Sequence, residues 1–114
     1  VQLLNNMKNK QDSPDHFDVL RTISNKPNST QRELATELGF SLGKLNYCLN
    51  ALKDKGLVKI SNFKKNKNKI GYAHILTPKG ISIKTKLTIS FMKRKMQEFD
   101  ELKKEIENNN VDSN

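Results

Sequence analysis

The chain has 114 residues, a formal net charge of +9, 34% hydrophobic residues and one cysteine. This length suits one small domain with an extension and argues against two independent domains. The sequence contains no run of about 18 apolar residues and no signal-peptide pattern, so we expect a soluble, cytoplasmic protein. The single cysteine, Cys48, excludes an internal disulfide framework and is consistent with a reducing compartment.

The positive charge is concentrated in one part of the chain. From Lys55 to Lys95 there are twelve lysines and arginines and no acidic residue, whereas the rest of the chain has nine basic and twelve acidic residues. Such segregation is typical of a surface that binds a polyanion, either a nucleic acid or an anionic membrane. A lysine-rich face that is merely solvated is the simplest alternative.

The N-terminal part begins with a polar arm at residues 1–12, which could form a short helix only by docking onto another surface. A helix start follows, since Ser13 can cap, Pro14 fits the first helical position and Asp15 suits the helix dipole. This first helix is predicted to end near Asn25 and to bury Phe17, Leu20 and Ile23.

Two more helices are predicted close together. Thr30 and Glu33 form a capping box for the second helix, which Gly39 ends, and Ser41 begins the third. Gly56 is the predicted stop of the third helix. Its predicted buried line consists of Leu42, Leu45, Leu49 and Leu52. The short turn between these helices predicts a helix-turn-helix.

The next segments predict a β-hairpin. Residues 57–63 and 70–76 are rich in β-branched and aromatic residues, and the lysine-rich stretch KKNKNK separates them. Asn66 and Asn68 suit a turn and add no charge. The hairpin would therefore present a strongly basic tip.

A long helix is predicted over residues 78–108, because Thr77 and Pro78 give a helix start and no glycine or proline follows residue 80. The alternation in 81–91 taken alone favours a strand. We favour a helix because one apolar stripe continues well beyond that segment: Ile81, Thr85, Thr88, Met92, Met96, Phe99, Leu102 and Ile106. A second stripe consists of Ile83, Leu87 and Phe91.

These two stripes predict two different packing partners. We expect one stripe to pack on the helix's own domain and the other on a second copy of the chain. The predicted dimerisation residues are Ile81, Thr88, Met92, Met96, Phe99, Leu102 and Ile106. Residues 109–114 are predicted to be a disordered tail.

The order of three helices and a hairpin indicates a mainly α fold, a winged helix-turn-helix over residues 13–77 followed by the long helix. Such domains place the third helix in the major groove of DNA and the hairpin, or wing, against the backbone. The predicted phosphate-binding residues of the wing are Lys64, Lys65, Lys67 and Lys69.

The outward face of the third helix provides the predicted groove contacts, which are Gly43, Lys44, Asn46, Tyr47 and Asn50. Lysine can donate to guanine, asparagine can pair with adenine, tyrosine can contact sugar or phosphate, and glycine permits close backbone approach. Residues at the two helix starts suit phosphate contacts as well as capping: Thr30, Gln31, Arg32 and Ser41.

Two stretches carry a family resemblance. TQRELATELGFSLGKLNYCLNALKDKGLVKI followed by LTPKG resembles winged helix-turn-helix transcriptional regulators of the MarR type, and the match covers residues 15–107. The segment GISIKTKLTISFMKRKMQEFDELKKEIE resembles a small branch associated with bacterial exopolysaccharide gene clusters. The resemblance implies a homodimer on a pseudo-palindromic operator, nucleoid-associated when bound. Family members are usually longer and dimerise through helices at both ends. The N-terminal portion here is slight, so most of the dimer contact would fall to the last helix.

Other functions have weaker support in the sequence. We find no glycine-rich phosphate loop, nucleophile elbow or metal-binding spacing, so neither an enzyme nor a cofactor is expected. His16, His74 and Cys48 do not match a zinc site, and Cys48 is interpreted as a buried filler rather than a redox switch. A protein-docking module and a nonspecific nucleic-acid-coating protein stay open as alternatives, and no effector ligand is identified.

Overall fold

The computed structural model describes residues 14–66 and 69–112, with side chains described outside 63–70 and 110–112. Residues 1–12, predicted to be an arm, and Ser13 therefore lie outside the described part. In chain order, the elements are α1 (Pro14–Asn25), α2 (Gln31–Leu38), α3 (Leu42–Asp54), β1 (Val58–Asn66), β2 (Lys69–Leu76) and α4 (Pro78–Asp112). This order confirms the predicted fold class.

Local capping explains where the two middle helices begin and end. The Thr30 hydroxyl accepts from the Glu33 backbone N–H at 3.1 Å, and the Glu33 carboxylate accepts from the Thr30 N–H at 3.3 Å. Gly39 then ends α2 in the left-handed conformation, with φ of 70°. The Ser41 hydroxyl caps α3 by accepting from the Lys44 N–H at 3.1 Å. Each of these caps follows from the sequence alone.

The core joins the three first helices to the base of the hairpin and to α4. Its buried members are Phe17, Val19, Leu20, Ile23, Leu34, Ala35, Leu45, Cys48, Leu49, Leu52, Leu57, Val58 and Leu87. One predicted member is wrong, because Leu42 is 48% exposed. Leu42 is the first residue of α3 and lies at the edge of the inward face, whereas Cys48 lies within that face and is 3% exposed.

The wing is a two-stranded antiparallel hairpin whose register runs from Val58 opposite Leu76 to Asn66 opposite Lys69. Both strands extend further toward the tip than the predicted 57–63 and 70–76. The added residues are lysines and an asparagine. These residues have weak strand propensity, so the sequence pattern predicted strands that were too short. The pairing of the hydrophobic base continues into this charged part, with a register irregularity between Lys64 and Asn66.

The last element is one helix of 35 residues, α4. The helical prediction for 81–91 is confirmed over the competing strand pattern. The predicted disordered tail is wrong at residues 109–112, which continue the helix to Asp112. Asparagine has weak helix propensity, but the preceding turns already provide the hydrogen-bonding carbonyls, so each added residue avoids the cost of nucleation.

The two apolar stripes of α4 have different environments. Leu87 is buried in the core, and Ile83 and Phe91 pack against it, as predicted for the stripe facing the chain's own domain. The Phe91 ring stacks on Phe17 of α1, with centroids 4.7 Å apart. The other stripe is exposed, and its large members are Ile81, Met92, Met96, Phe99, Leu102 and Ile106. Within the described chain, this stripe has no partner that buries it.

A junction of backbone contacts fixes the start of α4 against the end of α3. The Thr77 hydroxyl donates to the Gly56 carbonyl and accepts from the Gly80 N–H at 3.0 Å. The Thr77 N–H donates to the Leu57 carbonyl at 3.0 Å, and the Lys79 ammonium donates to the Lys55 carbonyl at 3.1 Å. These contacts join the KGL segment, residues 55–57, to the TPKG segment, residues 77–80, and so hold α4 against the end of α3.

Two histidines in partly enclosed positions predict acid sensitivity. Burial lowers the pKa of His16 and His74, and nearby Lys55 and Lys53 respectively lower them further, while Asp15 opposes the shift at His16. The unfolded chain binds protons near a pKa of about 6.5, above the folded values, so stability is complete above that pH and falls as pH decreases through it.

We therefore expect a lower melting temperature at pH ~5.5 than at pH ~7.5, the two sides of the unfolded histidine pKa. The combined His16→Gln and His74→Gln variant should show a smaller difference between these two pH values. Thermal melts followed by circular dichroism check this. An identical pH dependence in the variant would exclude the histidines as its cause.

Candidate nucleic-acid interface

The exposed face of α3 is formed by the residues that the sequence predicted for it. Gly43, Lys44, Asn46, Tyr47 and Asn50 are all exposed. Tyr47 is 68% exposed, so its ring and hydroxyl are accessible to a partner. This face combines amide groups, a phenol and a glycine, which are suited to hydrogen bonding and close approach.

The start of α2 lies beside this face. The Gln31 amide nitrogen donates to the Asn46 side-chain oxygen at 3.0 Å, which directly links the two helices. Arg32 is exposed, and Thr30 and Ser41 both act as caps. The predicted positions at the two helix starts are therefore close to the predicted groove positions, as a helix-turn-helix requires.

Lys44 has contacts that the sequence did not reveal. Its ammonium group lies 3.3 Å from a carboxylate oxygen of Asp15 in α1 and 4.1 Å from the centroid of the Phe40 ring. Both ionic side chains are about half exposed, at 47% and 48%, so the pair is well solvated and exchangeable. In the free protein Lys44 thus points along the flank of α3, and a contact with guanine would have to replace Asp15.

A small cleft lies between the start of α1 and α3, lined by Asp15, His16, Lys44, Tyr47, Cys48, Ala51 and Lys55. Cys48 borders it but is buried, and burial raises the pKa of its thiol. A raised pKa reduces the thiolate fraction and hence the reactivity of the sulfur. The interpretation of Cys48 as a core residue agrees with this environment.

The structure describes the lysines of the wing only in part. The backbone at Lys64, Lys65 and Lys69 belongs to the two strands, whereas their side chains and the whole of Lys67 lie outside the described part. Their predicted phosphate contacts stay a prediction. Nearer the base, Ile60 and Tyr72 are 52% and 67% exposed and line a cleft with Thr30 and Gln31. The sequence did not single out these two residues.

A larger cleft, of about 580 Å³, lies between α1 and α4. The stacked rings of Phe17 and Phe91 form part of its wall, and the guanidinium groups of Arg21 and Arg94 lie 5.4 and 5.2 Å from these two ring centroids. The sequence did not indicate this cleft, because its two walls are about 70 residues apart in the chain and meet only when α4 packs on α1.

Other kinds of site find little support in the described residues. Over 14–66 and 69–112, no group of three or more metal-ligating side chains comes together. Among the helices that the structure describes, none has the length and apolar character needed to cross a membrane.

These features define a winged helix-turn-helix. The helices α2 and α3 form a capped two-helix motif, α3 has an exposed polar face, and a hairpin lies at its side. A family model described as winged helix-turn-helix DNA-binding matches residues 16–59, which include α2, α3, α1 except its first two residues, and the first two residues of β1. The match ends in the first strand, so it covers the motif and not the rest of the wing or α4.

Solved structures extend the likeness to the MarR family of transcriptional regulators. FabT of Streptococcus pneumoniae, solved in complex with DNA, has a TM-score of 0.59 and 24% identity over 76% of this chain and 59% of its own. A MarR/EmrR family regulator from Acinetobacter sp. ADP1 has a TM-score of 0.65 and 15% identity over 84% and 73%. PcaV of Streptomyces coelicolor, solved with its natural ligand, has a TM-score of 0.62 and 16% identity over 71% of this chain and 56% of its own.

The chain therefore has the MarR-type winged-helix fold. It spans less than two thirds of the length of PcaV and of FabT. PcaV and the MarR family protein SP03579, which share this fold, are transcription regulators. No curated protein sequence matches the chain significantly.

Proposed function

We propose that the chain is a transcriptional regulator that binds duplex DNA sequence-specifically as a homodimer on a pseudo-palindromic operator. The exposed face of α3 carries this proposal, because Gly43, Asn46, Tyr47 and Asn50 form a polar surface on the helix that a winged helix-turn-helix inserts into the major groove. The absence of acidic residues between Lys55 and Lys95 supports it, since that segment includes the wing.

The roles within the interface follow from residue chemistry. Asn46 and Asn50 would contact base edges, while Tyr47 would contact sugar or phosphate. Thr30, Gln31, Arg32 and Ser41 would lie near the backbone at the helix starts, and the wing lysines would bind phosphates of the adjacent segment. Lys44 would exchange Asp15 for a base or a phosphate on binding.

The dimer would form through the exposed stripe of α4. The basic residues Lys93, Arg94 and Lys95 precede an acidic segment at 98–107 on the same helix. An antiparallel pairing would bring each basic segment near the acidic segment of the other copy, which favours that orientation. Cysteines introduced at residues 93 and 101 should crosslink between copies; crosslinking at matched positions, 93 to 93, would indicate a parallel pair.

The target genes and the effector belong to the same proposal. Control of polysaccharide biosynthesis genes rests on the resemblance of residues 80–107 to the exopolysaccharide-associated branch. The cleft between α1 and α4 is the candidate effector site, since aromatic rings line it together with charged side chains of both signs, Arg21, Arg94 and Lys95 with Asp18 and Glu98. PcaV was solved with its natural ligand and a Staphylococcus aureus MarR with salicylate and kanamycin, so two proteins of this fold bind small molecules.

The test of the proposed function is a fluorescence-anisotropy titration against the upstream intergenic DNA of its own gene and a scrambled duplex at ~150 mM salt. We expect a preference of at least ~100-fold for the upstream DNA. Equal, weak binding to both would favour a coating protein. No binding to either would favour a protein-docking module.

We expect replacement of Lys65 and Lys67 by alanine to weaken binding to all sequences alike. Loss of two phosphate contacts in each subunit, four for the proposed dimer, should reduce the magnitude of the slope of log K against log salt by about 3.6. Titrations at several salt concentrations measure that slope. The control replaces Lys103 and Lys104, which lie outside the basic segment, with alanine. The same change in slope in this control would show that the wing lysines have no special role in binding phosphates.

A further inference from the structure

Two side chains of the interface already contact each other in the free protein. Gln31 is the first residue of α2 and Asn46 lies in the second turn of α3, yet the Gln31 Nε2 group donates to Asn46 Oδ1 at 3.0 Å. Both side chains are exposed. Neither one acts as the cap of its helix, since Thr30 and Ser41 have that role. The bond therefore orients two side chains that water would otherwise hydrate.

This bond fixes which end of the Asn46 amide faces outward. A free asparagine can rotate its amide by half a turn and so exchange its donor and its acceptor. With Gln31 donating to Oδ1, the Nδ2 group of Asn46 is left to donate, and Oδ1 keeps a second lone pair that can accept. The pair thus presents a donor and an acceptor in a defined order.

That order matches one purine better than the other. In the major groove adenine offers the N7 acceptor and the N6 amino donor, whereas guanine offers two acceptors, N7 and O6. An amide that is free to turn can donate both of its hydrogens to guanine. In an Asn46–purine pair, Nδ2 would donate to N7, and the second lone pair of the Oδ1 atom held by Gln31 would face the six-position of the base. There it suits the amino group of adenine and repels the oxygen of guanine.

We propose that Gln31 is a specificity-determining positioning residue that orients Asn46 to read adenine and to reject guanine. This inference rests on the proposed function, because it assumes that α3 enters the major groove. It assigns Gln31 a role beyond phosphate contact: the residue acts through Asn46 on one base position. The affinity for DNA in general would depend little on it.

The test is binding-site selection from a randomised duplex library, carried out with the full chain and three variants. Asn46→Ala removes the reading amide, and Gln31→Met removes the hydrogen bond without adding charge. Arg32→Met is the matched control, since it changes the neighbouring exposed residue of α2 and removes a charge. Circular dichroism establishes that each variant is folded before its sites are compared.

We expect the unmodified chain to select an adenine that Asn46→Ala no longer selects. Anisotropy with adenine or guanine at that position should then show discrimination of about tenfold or more in the unmodified chain. Gln31→Met should reduce this discrimination to about threefold or less and keep the salt slope. Arg32→Met should keep the discrimination and weaken binding to all sequences.

The outcomes separate the inference from the proposed function. If the unmodified chain selects no motif, the proposed function fails. If it selects a motif and Gln31→Met retains the same adenine preference, the positioning role alone is overturned. A uniform loss of affinity for all sequences in Gln31→Met would make Gln31 a contact to the DNA backbone and would overturn the inference. Selection by Asn46 of a base other than adenine would also overturn it.

Discussion

Phe99→Glu is expected to convert the proposed dimer into a monomer and to abolish tight binding to the proposed operator. Phe99 lies in the exposed stripe of α4 and is 65% exposed, so a second copy would bury it while the single chain does not. A carboxylate there would have to be desolvated among the apolar side chains of the stripe. Dimer affinity, measured by light scattering across a concentration series, should fall roughly 100-fold or more.

The same variant should separate dimerisation from recognition. Affinity for a duplex with two half-sites should fall by roughly 100-fold or more, because the two contacts no longer act together. Affinity for a single half-site should hardly change. Gln97→Glu is the control, since it adds the same charge to an exposed neighbouring position outside the stripe. If both variants remain dimeric, the stripe is not the dimer interface.

Gly80→Ala is expected to destabilise the fold severely. A Cβ at this position would lie 2.0 Å from the Leu57 carbonyl oxygen and 2.9 Å from its carbon, both of them backbone atoms. The Leu57 oxygen also accepts from the Thr77 N–H, so it cannot move without loss of that bond. Helix propensity alone favours alanine over glycine by about 1 kcal/mol, but the clash should outweigh this. We expect a loss of at least about 3 kcal/mol.

Urea denaturation followed by circular dichroism measures that loss. Gly43→Ala is the matched control, because a Cβ there meets nothing within 4 Å and the residue also lies in a helix. It should raise the free energy of unfolding by roughly 0.5 to 1 kcal/mol. Similar stability for both variants would show that the junction between α3 and α4 tolerates a side chain at residue 80.

Much of the fold follows from short-range patterns. The capping box at Thr30 and Glu33, the glycine at 39 and the serine at 41 predict two helices whose observed ends agree closely. Such contacts involve residues three or four positions apart, so the sequence itself displays both partners. The helical nature of 81–91 required a longer window, because the β-branched alternation there favours a strand until the stripe is followed to Ile106.

The features that the sequence did not predict share a physical cause. The exposure of Leu42 depends on where α3 meets the core, and the continuation of α4 to Asp112 depends on the helix already formed before it. The contact of Lys44 with Asp15 spans 29 positions and the amide bond of Gln31 with Asn46 spans 15. No periodicity links such pairs, since they become neighbours only when the helices pack.

The composition and the order of caps, stripes and turns determine that this chain forms three helices, a basic hairpin and a long amphipathic helix. They also determine which residues of α3 face outward, because burial of Leu45, Leu49 and Leu52 leaves the opposite side exposed. The tertiary structure alone decided that residue 80 must be glycine, that Lys44 is paired with an acid and that Gln31 orients Asn46. These depend on distances between elements, which packing sets and local sequence does not encode.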